Sequence, residues 1–501
     1  MKRILGVILH PIGILLILLA VYALMRIPSL GAMPIFTDEA IYVRWSQIGS
    51  RDASWRFISL TDGKQPLFTW GAMAAMRVIH DPLLASRAVS VLAGALSVVG
   101  LFLLGWELFA STTVGLLASL LYVLSPFTLL YDRMALYDSL VATFFIWNTY
   151  LTVLFARYNR LDSALLLGLG VGVGLLNKTS AFFSLYLLPF SLVLFDFRPA
   201  NRTKRFLKFI GLSLVAVVLS VCIYSILRLS PYFYIIAQKD ALFVYPVREW
   251  IRHPLEFFLG NWHGLFDWLT FYVTVPLFAL GVFTMIEKGK WLREKLFLLL
   301  YFIVPFTGLA LFGRTLYPRY ILFMVMPLFL LISWGMIECI RIFGKKVGIV
   351  LTALCLVQSL SMSVGILRDI KTAPIHPSDR GQYISDWPAG WGVAEIVSYL
   401  DKASRQGKIT VYTEGTFGLM PYALEIYLVD NKNVEIKGIW PFPSIIPASI
   451  AQKTQKNPVY LLMYQSQADP SWPVEKILSI AQGNNPGSRM RLYKILPQET
   501  P

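Results

Sequence analysis

Charge is what this 501-residue chain has least of. Asp, Glu, Lys and Arg together make up 15% of it, whereas 56% is hydrophobic and the mean hydropathy is +0.60. A soluble domain carries about a quarter of its residues charged, so the composition excludes a soluble globular protein and reads as integral membrane. Acids are the scarcer sign, 29 against 45 Lys and Arg, for a formal net charge of +16. A nucleic-acid binder would gather its basic residues on one soluble face. Here many lie in short loops between apolar runs, so membrane topology accounts for them and no nucleic-acid partner is expected. Cysteine is nearly absent. Cys222, Cys339 and Cys355 fall inside apolar runs and offer neither metal-ligand spacing nor a disulfide framework. No internal repeat is visible. The N-terminal run has no small-x-small cleavage site before Arg26 and is too long for a signal peptide core, so it is read as an uncleaved first span.

Long apolar runs are abundant. A span needs about 20 apolar residues, and candidates lie at Ile4–Met25, Leu84–Leu104, Val114–Leu130, Leu140–Ala156, Ser163–Leu176 and Ser180–Phe195. Further runs cover Phe206–Leu229, Trp268–Met285, Leu296–Phe312, Ile321–Ile340 and Val347–Leu367. The expectation is an all-α polytopic membrane protein of about 11 helices. The pair around Asn177 is short enough to bend or be partly re-entrant, and Ala72–Ile79 is too short to span and reads as interfacial.

Charge bias orients the chain. With a cytoplasmic N-terminus, the inside loops hold Arg157, Arg160, Arg198, Arg202, Lys204, Arg205, Lys288, Lys290, Arg293, Lys295, Arg341, Lys345 and Lys346. The short outside loops hold Arg133, Lys178, Arg314 and Arg319. That is a positive-inside distribution. It leaves three long extracytoplasmic segments: a first loop with interfacial helices at 26–83, a second at 230–267, and the tail 368–501. The membrane domain is therefore 1–367. The tail mixes strand-like runs (Ile409–Tyr412, Val434–Ile436, Val459–Met463) with helical stretches near Val393–Ala403 and Leu419–Val429, the pattern of a small C-terminal α/β domain. Gly168, Gly170, Gly172 and Gly174 lack the preceding strand of a phosphate loop and read as helix packing. His253 and His263 have no acids at ligand spacing and read as ordinary loop residues.

Acids near the membrane are costly and point to function. Asp38 and Glu39 follow the first span directly; by themselves they could simply cap a helix starting at Ala40, with Thr37 or Asp38 as N-cap. The loop Tyr131–Asp138 holds Arg133 and Asp138 five residues apart, while Lys64, Lys178 and Arg319 occupy other outside positions. All seven residues fall on one side at nearly one depth. Carboxylates there can take a proton from a hydroxyl acceptor or position a metal. Cations can bind a lipid phosphate and stabilise the negative charge that grows as a sugar–phosphate bond breaks.

Phe36-Thr37-Asp38-Glu39 with the aromatic-basic helix after it resembles the first-loop acidic motif of the GT-C fold glycosyltransferases. Within that fold it resembles the dolichyl-phosphate-mannose–protein mannosyltransferases and the lipid A aminoarabinose transferases. Lys64-Gln65-Pro66-Leu67 is similar to the Lys-Pro-Pro-Leu of the latter, Arg133 to Asp138 keeps an Arg-x-x-x-x-Asp spacing, Asn177-Lys178-Thr179 resembles a Thr-Lys-Gly turn, and Arg319-Tyr320 an Arg-Tyr that opens a late span. The resemblance runs in order from about Ile4 to Leu330. It implies Asp38 as catalytic carboxylate supported by Glu39, with Lys64, Arg133, Lys178 and Arg319 on the donor phosphate and Asp138 ordering Arg133. It also implies a polyprenyl-phosphate-linked sugar donor. The acceptor, a glycan, lipid or protein, stays open, as does the metal requirement, with a divalent ion as the candidate cofactor. Gly63 stands where the lipid A enzymes have an acid, and Gln65 replaces the first Pro, which weighs against borrowing their metal site. The tail does not resemble the β-trefoil of the protein mannosyltransferases.

The expected function is transfer of a sugar on the extracytoplasmic face, by inverting direct displacement, in a multi-pass protein of the prokaryotic cytoplasmic membrane. One alternative is a transporter or flippase of lipid-linked sugars, which would place charge near the midplane and show repeats. A sensor anchored by eleven spans is the other.

Overall fold

Within hydrocarbon every backbone N–H and C=O must be satisfied inside the protein, so apolar runs of this length become helices. The structure, a computed structural model, describes residues 10–253, 255–286 and 290–497. Six helices are long and apolar enough to cross a membrane: Pro82–Phe109, Asp138–Tyr158, Arg202–Leu229, Leu292–Phe312, Val325–Phe343 and Lys345–Arg368. Two bent pairs pass the same criterion, Thr112–Leu124 with Pro126–Asp132 at 63° and Phe258–Val273 with Val275–Ile286 at 104°. Shorter apolar helices cover Pro11–Arg26, Leu161–Leu175 and Thr179–Leu194. Each of the eleven expected runs has its counterpart here. Residues 4–9 of the first run, and Lys288 among the inside-loop cations, lie outside the described residues.

The bends have local causes. Ser125 is extended (φ −67°, ψ 127°) immediately before Pro126, because a residue preceding proline is pushed out of the helical region. Thr274 breaks the second pair at φ +69°. The stretch around Asn177 is irregular as expected: Thr179–Phe182 and Leu188–Leu194 are 3-10 turns flanking one α-turn. The glycine stripe packs helices. A Cβ on Gly168 would meet the Ala216 carbonyl oxygen at 2.8 Å, and one on Gly172 would meet Ile223 at 2.8 Å. That closeness lets Ser220 donate to the Gly168 carbonyl at 3.0 Å, the small-residue packing that replaces a hydrophobic drive in lipid.

The chain divides into two units. The first holds the spans with Arg56–Gly71 of the first long loop. There Leu60, Leu176, Leu227 and Ile236 form one apolar cluster, joined by Phe57, Leu67 and Trp70. The second unit comprises Ser29–Trp55, Ala72–Ser86 and Arg368–Pro501, so the tail folds together with two pieces of the first loop.

The core of the second unit is a five-stranded sheet: β1 Ile409–Glu414, β2 Val434–Ile439, β3 Val459–Met463, β4 Val474–Gln482 and β5 Asn485–Ile495, in the order β2-β1-β3-β5-β4. The first three strands are parallel and the last two add an antiparallel hairpin. β1 and β3 are buried along their whole length, as continuous apolar strands of a covered parallel sheet are. The hairpin was not among the expected strands, although Gly483-Asn484 between two β-rich runs is a two-residue turn signal. Helix Thr37–Arg51 lies on Leu419–Leu428, tied by Arg44–Glu425 at 2.7 Å and by Gln47 donating to the Ile426 carbonyl at 2.9 Å.

Candidate active site

In the first unit the site is built from loops clamped to helix ends. Leu67 N–H donates to the Leu176 carbonyl at 2.9 Å, and the Gln65 side chain donates to the Thr179 hydroxyl at 2.7 Å. The Lys64 loop is thereby fixed beside the Asn177–Thr179 turn. Asn177 in turn donates to the Tyr137 carbonyl at 3.2 Å, setting the turn against the start of helix Asp138–Tyr158. Lys178 Nζ then reaches Asp138 Oδ1 at 2.6 Å. The carboxylate occupies the first turn of its helix, where the backbone dipole favours negative charge.

Aromatic rings bring the cations together. Lys178 Nζ lies 4.7 Å from the Tyr320 ring centre, and Lys64 Nζ lies 5.1 Å from that of Phe243. These two rings are 6.3 Å apart, and Arg319 sits over Tyr317 and Tyr320 at 5.2 and 5.8 Å. A cation over a ring face keeps its charge while losing part of its water, so it is held without being neutralised. The Lys178 ammonium uses one of its three donors on Asp138. Two are left for anionic oxygens, and a quarter of the side chain is exposed.

Asp240, which sequence reasoning did not single out, belongs to this cluster. Burial pushes its carboxyl above the ordinary value, opposed by the Thr179 hydroxyl and by the charges of Lys64 and Lys178. Its neighbour Lys239 pairs with Asp62 at 2.5 Å. The Lys-Asp dipeptide in the second long loop was the only sequence signal for either residue. Gly63 has a physical reason to replace an acid: φ is +68°, and a Cβ would meet Lys239 Cβ at 2.6 Å.

The partner of Asp138 in the structure is Lys178. Arg133 is 2% exposed, donates to the Pro28 carbonyl at 3.4 Å and feels the charges of Arg87 and Arg26. Beside it is a closed network. Asp132 accepts from Tyr22 at 3.1 Å, Tyr122 at 3.0 Å and Ser139 at 2.8 Å, and Arg26 Nε lies 3.7 Å away. Arg26 also donates to the Val123 and Tyr122 carbonyls. Gly94 admits this group, since a Cβ there would lie 2.1 Å from the Tyr22 hydroxyl.

Asp38 and Glu39 belong to the second unit. Helix Thr37–Arg51 starts three residues earlier than expected, with Phe36 as N-cap. Glu39 is fully buried and accepts from the Phe36 N–H at 2.9 Å, which is the capping arrangement. Asp38 is partly exposed. His253 pairs with Glu256 at 3.2 Å. Among the described residues no group of three or more His, Cys, Asp or Glu side chains could share a metal ion.

Comparison with known proteins gives three findings. Residues 63–226 match the family model described as dolichyl-phosphate-mannose-protein mannosyltransferase. The fold is similar to that of ArnT from Cupriavidus metallidurans, with TM-scores of 0.62 for its apo state and 0.57 for its undecaprenyl phosphate complex. Identity is 12% in both, over 97% of this chain and 99% of that one. It is also similar to the archaeal oligosaccharyltransferase AglB from Archaeoglobus fulgidus, solved with an inhibitory peptide and a dolichol-phosphate, at a TM-score of 0.53 and 12% identity over 91% of this chain and 69% of that one. No curated protein matches in sequence. The chain thus shares the fold of these solved proteins, and its residues 63–226 resemble the mannosyltransferase family model.

Proposed function

We propose that the protein transfers a sugar from a polyprenyl-phosphate carrier to a hydroxyl acceptor on the extracytoplasmic face of a prokaryotic cytoplasmic membrane. The observation that carries this reading is the cluster of Lys178, Lys64 and Arg319 on the Tyr320 and Phe243 rings, with Lys178 donors left for an anion. The undecaprenyl phosphate and dolichol-phosphate complexes of the structural neighbours support a lipid-phosphate ligand for that chemistry.

In the proposed reaction the acceptor oxygen attacks the anomeric carbon as its proton passes to Asp38. The bond from that carbon to the phosphate oxygen breaks, its electron pair stays on the phosphate, and the configuration inverts. The leaving phosphate gains one negative charge. Lys64, Lys178, Arg319 and Arg133 therefore interact more strongly with the transition state than with the bound donor, and so contribute to rate. Glu39 holds the start of the helix that carries Asp38, which makes it a positioning residue. Asp138 orients Lys178. No step is routed through a metal ion.

Membrane vesicles supplied with labelled polyprenyl-phosphate sugars test the reading. The wild type should deliver label from at least one hexosyl or pentosyl donor to an endogenous acceptor, and Asp38→Asn should abolish this at unchanged expression. Full turnover by that variant would remove Asp38 from the mechanism. Movement of intact lipid-linked sugar across the membrane without transfer would indicate a transporter instead.

A further inference from the structure

Two of the exposed aromatic residues in the second unit adjoin, in sequence, the residues that touch Thr37, the residue before Asp38. Thr37 donates both its backbone N–H and its hydroxyl to the Pro388 carbonyl at 3.1 Å, and Gly390 N–H donates to the Ile35 carbonyl at 2.8 Å. These bonds fix residues 388–390 against the chain entering the helix. Thr37 also meets Gly418, whose φ is +108° and where a Cβ would stand 3.4 Å from the Thr37 methyl. Each of these two straps carries one large ring into solvent: Trp387 is 43% exposed and Phe417 is 47% exposed. Each is backed by a buried ring, Trp387 by Tyr464 at 6.1 Å and Phe417 by Trp45 at 6.3 Å. Phe417 lies in the loop leaving β1, and Tyr464 directly follows β3. The rings are thus at the C-terminal ends of adjacent parallel strands, where open α/β sheets bind their ligands.

Each ring presents one open face while its support holds it in place. We propose that Trp387 and Phe417 form a saccharide-binding subsite of the second unit, stacking on the C–H face of the sugar unit whose hydroxyl is the acceptor. An aromatic face is electron-rich at its centre and complements polarised C–H groups. The location beside Thr37-Asp38 makes the acceptor the occupant, and this part of the proposal rests on Asp38 being the base. It also gives the C-terminal domain a task, acceptor recognition.

The test uses the full chain in phosphatidylcholine nanodiscs, with maltose, cellobiose and di-N-acetylchitobiose as probes followed by ligand-observed NMR. The wild type should bind at least one disaccharide. Trp387→Ala and Phe417→Ala should each weaken binding by about tenfold, while Trp387→Phe and Phe417→Tyr retain most of it, which separates stacking from misfolding. Asp38→Asn should bind as the wild type does. Its loss of transfer speaks to the base, whereas binding by the alanine variants speaks to the subsite, so the two readings fail separately. No disaccharide binding by the wild type, or unchanged binding in both alanine variants, overturns the subsite. So does quenching of a fluorophore on Phe417→Cys by brominated lipid chains, which would show the rings seated in the membrane.

Discussion

Asp132 and Asp138 lie six residues apart in one strip of sequence, both buried, and the structure gives them different partners. Asp132 is fully buried, accepts three hydroxyl hydrogen bonds and has Arg26 beside it. Asp138 makes one short bond to a lysine that is a quarter exposed and has donors left over. A buried charge is tolerable only when its hydrogen bonds are complete, so Asp132 serves the fold. A charge pair whose lysine is partly exposed and keeps open donors is suited to a ligand. Saturation of the hydrogen bonds, more than the mere presence of an acid near the membrane, distinguishes a structural carboxylate from a functional one.

The comparison can be broken at either end. Arg26→Met should have the largest effect on stability, because it leaves Asp132 buried without its cation at a cost of about 3–5 kcal/mol. Little folded protein should be recovered, as read by detergent-phase size exclusion and thermal unfolding. Lys178→Met should show mainly in the reaction, with transfer lowered by about 10²–10³-fold, the scale for losing one donor to a developing anion, and a smaller fall in the unfolding midpoint than Arg26→Met, because the lysine half of the pair is a quarter exposed. If Lys178→Met unfolds the protein while Arg26→Met only slows transfer, the two acids have been assigned the wrong way round. Gly63→Ala should cost about 1–3 kcal/mol for a left-handed non-glycine residue, together with a clash on Lys239, and should raise the donor KM through the displaced Lys64 loop.

The smallest effect concerns pH and the second unit. Hydrogen bonds from Lys437 and Lys453 hold Glu435 at about 2, well below its ordinary 4.5. A depressed folded-state value means the stabilisation is full above pH 4.5 and is lost as pH falls toward 2. Glu435→Gln should therefore flatten the acid limb of the unfolding midpoint against pH between those values. The shift is modest, since the side chain is about half exposed.

Much of this was legible in the residues. Apolar runs appear where their length demanded helices, and Ile409–Tyr412 and Val459–Met463 became central strands because continuous β-branched and aromatic runs suit a doubly covered sheet. Lys64, Lys178 and Arg319 were recognisable as cations at loop positions. Asp240 was not, since an isolated Lys-Asp pair in a long loop looks like any solvated turn. Nor was the Lys178 partner of Asp138, since Asn177 and the Tyr137 carbonyl bring it in from forty residues away.

The sequence by itself determined that the chain lives in a membrane, which runs are helical, and that its few acids beside those runs are candidates for function. Those conclusions need only hydropathy, periodicity and charge, which are local. Tertiary structure decided which acid is saturated and which cations share an aromatic support. It also placed two pieces of the first loop in one unit with the C-terminal domain. The partners of Asp132 come from Tyr22 and Tyr122, 110 and 10 residues away. Hydrogen-bond saturation depends on such distant groups, and no local pattern can report it.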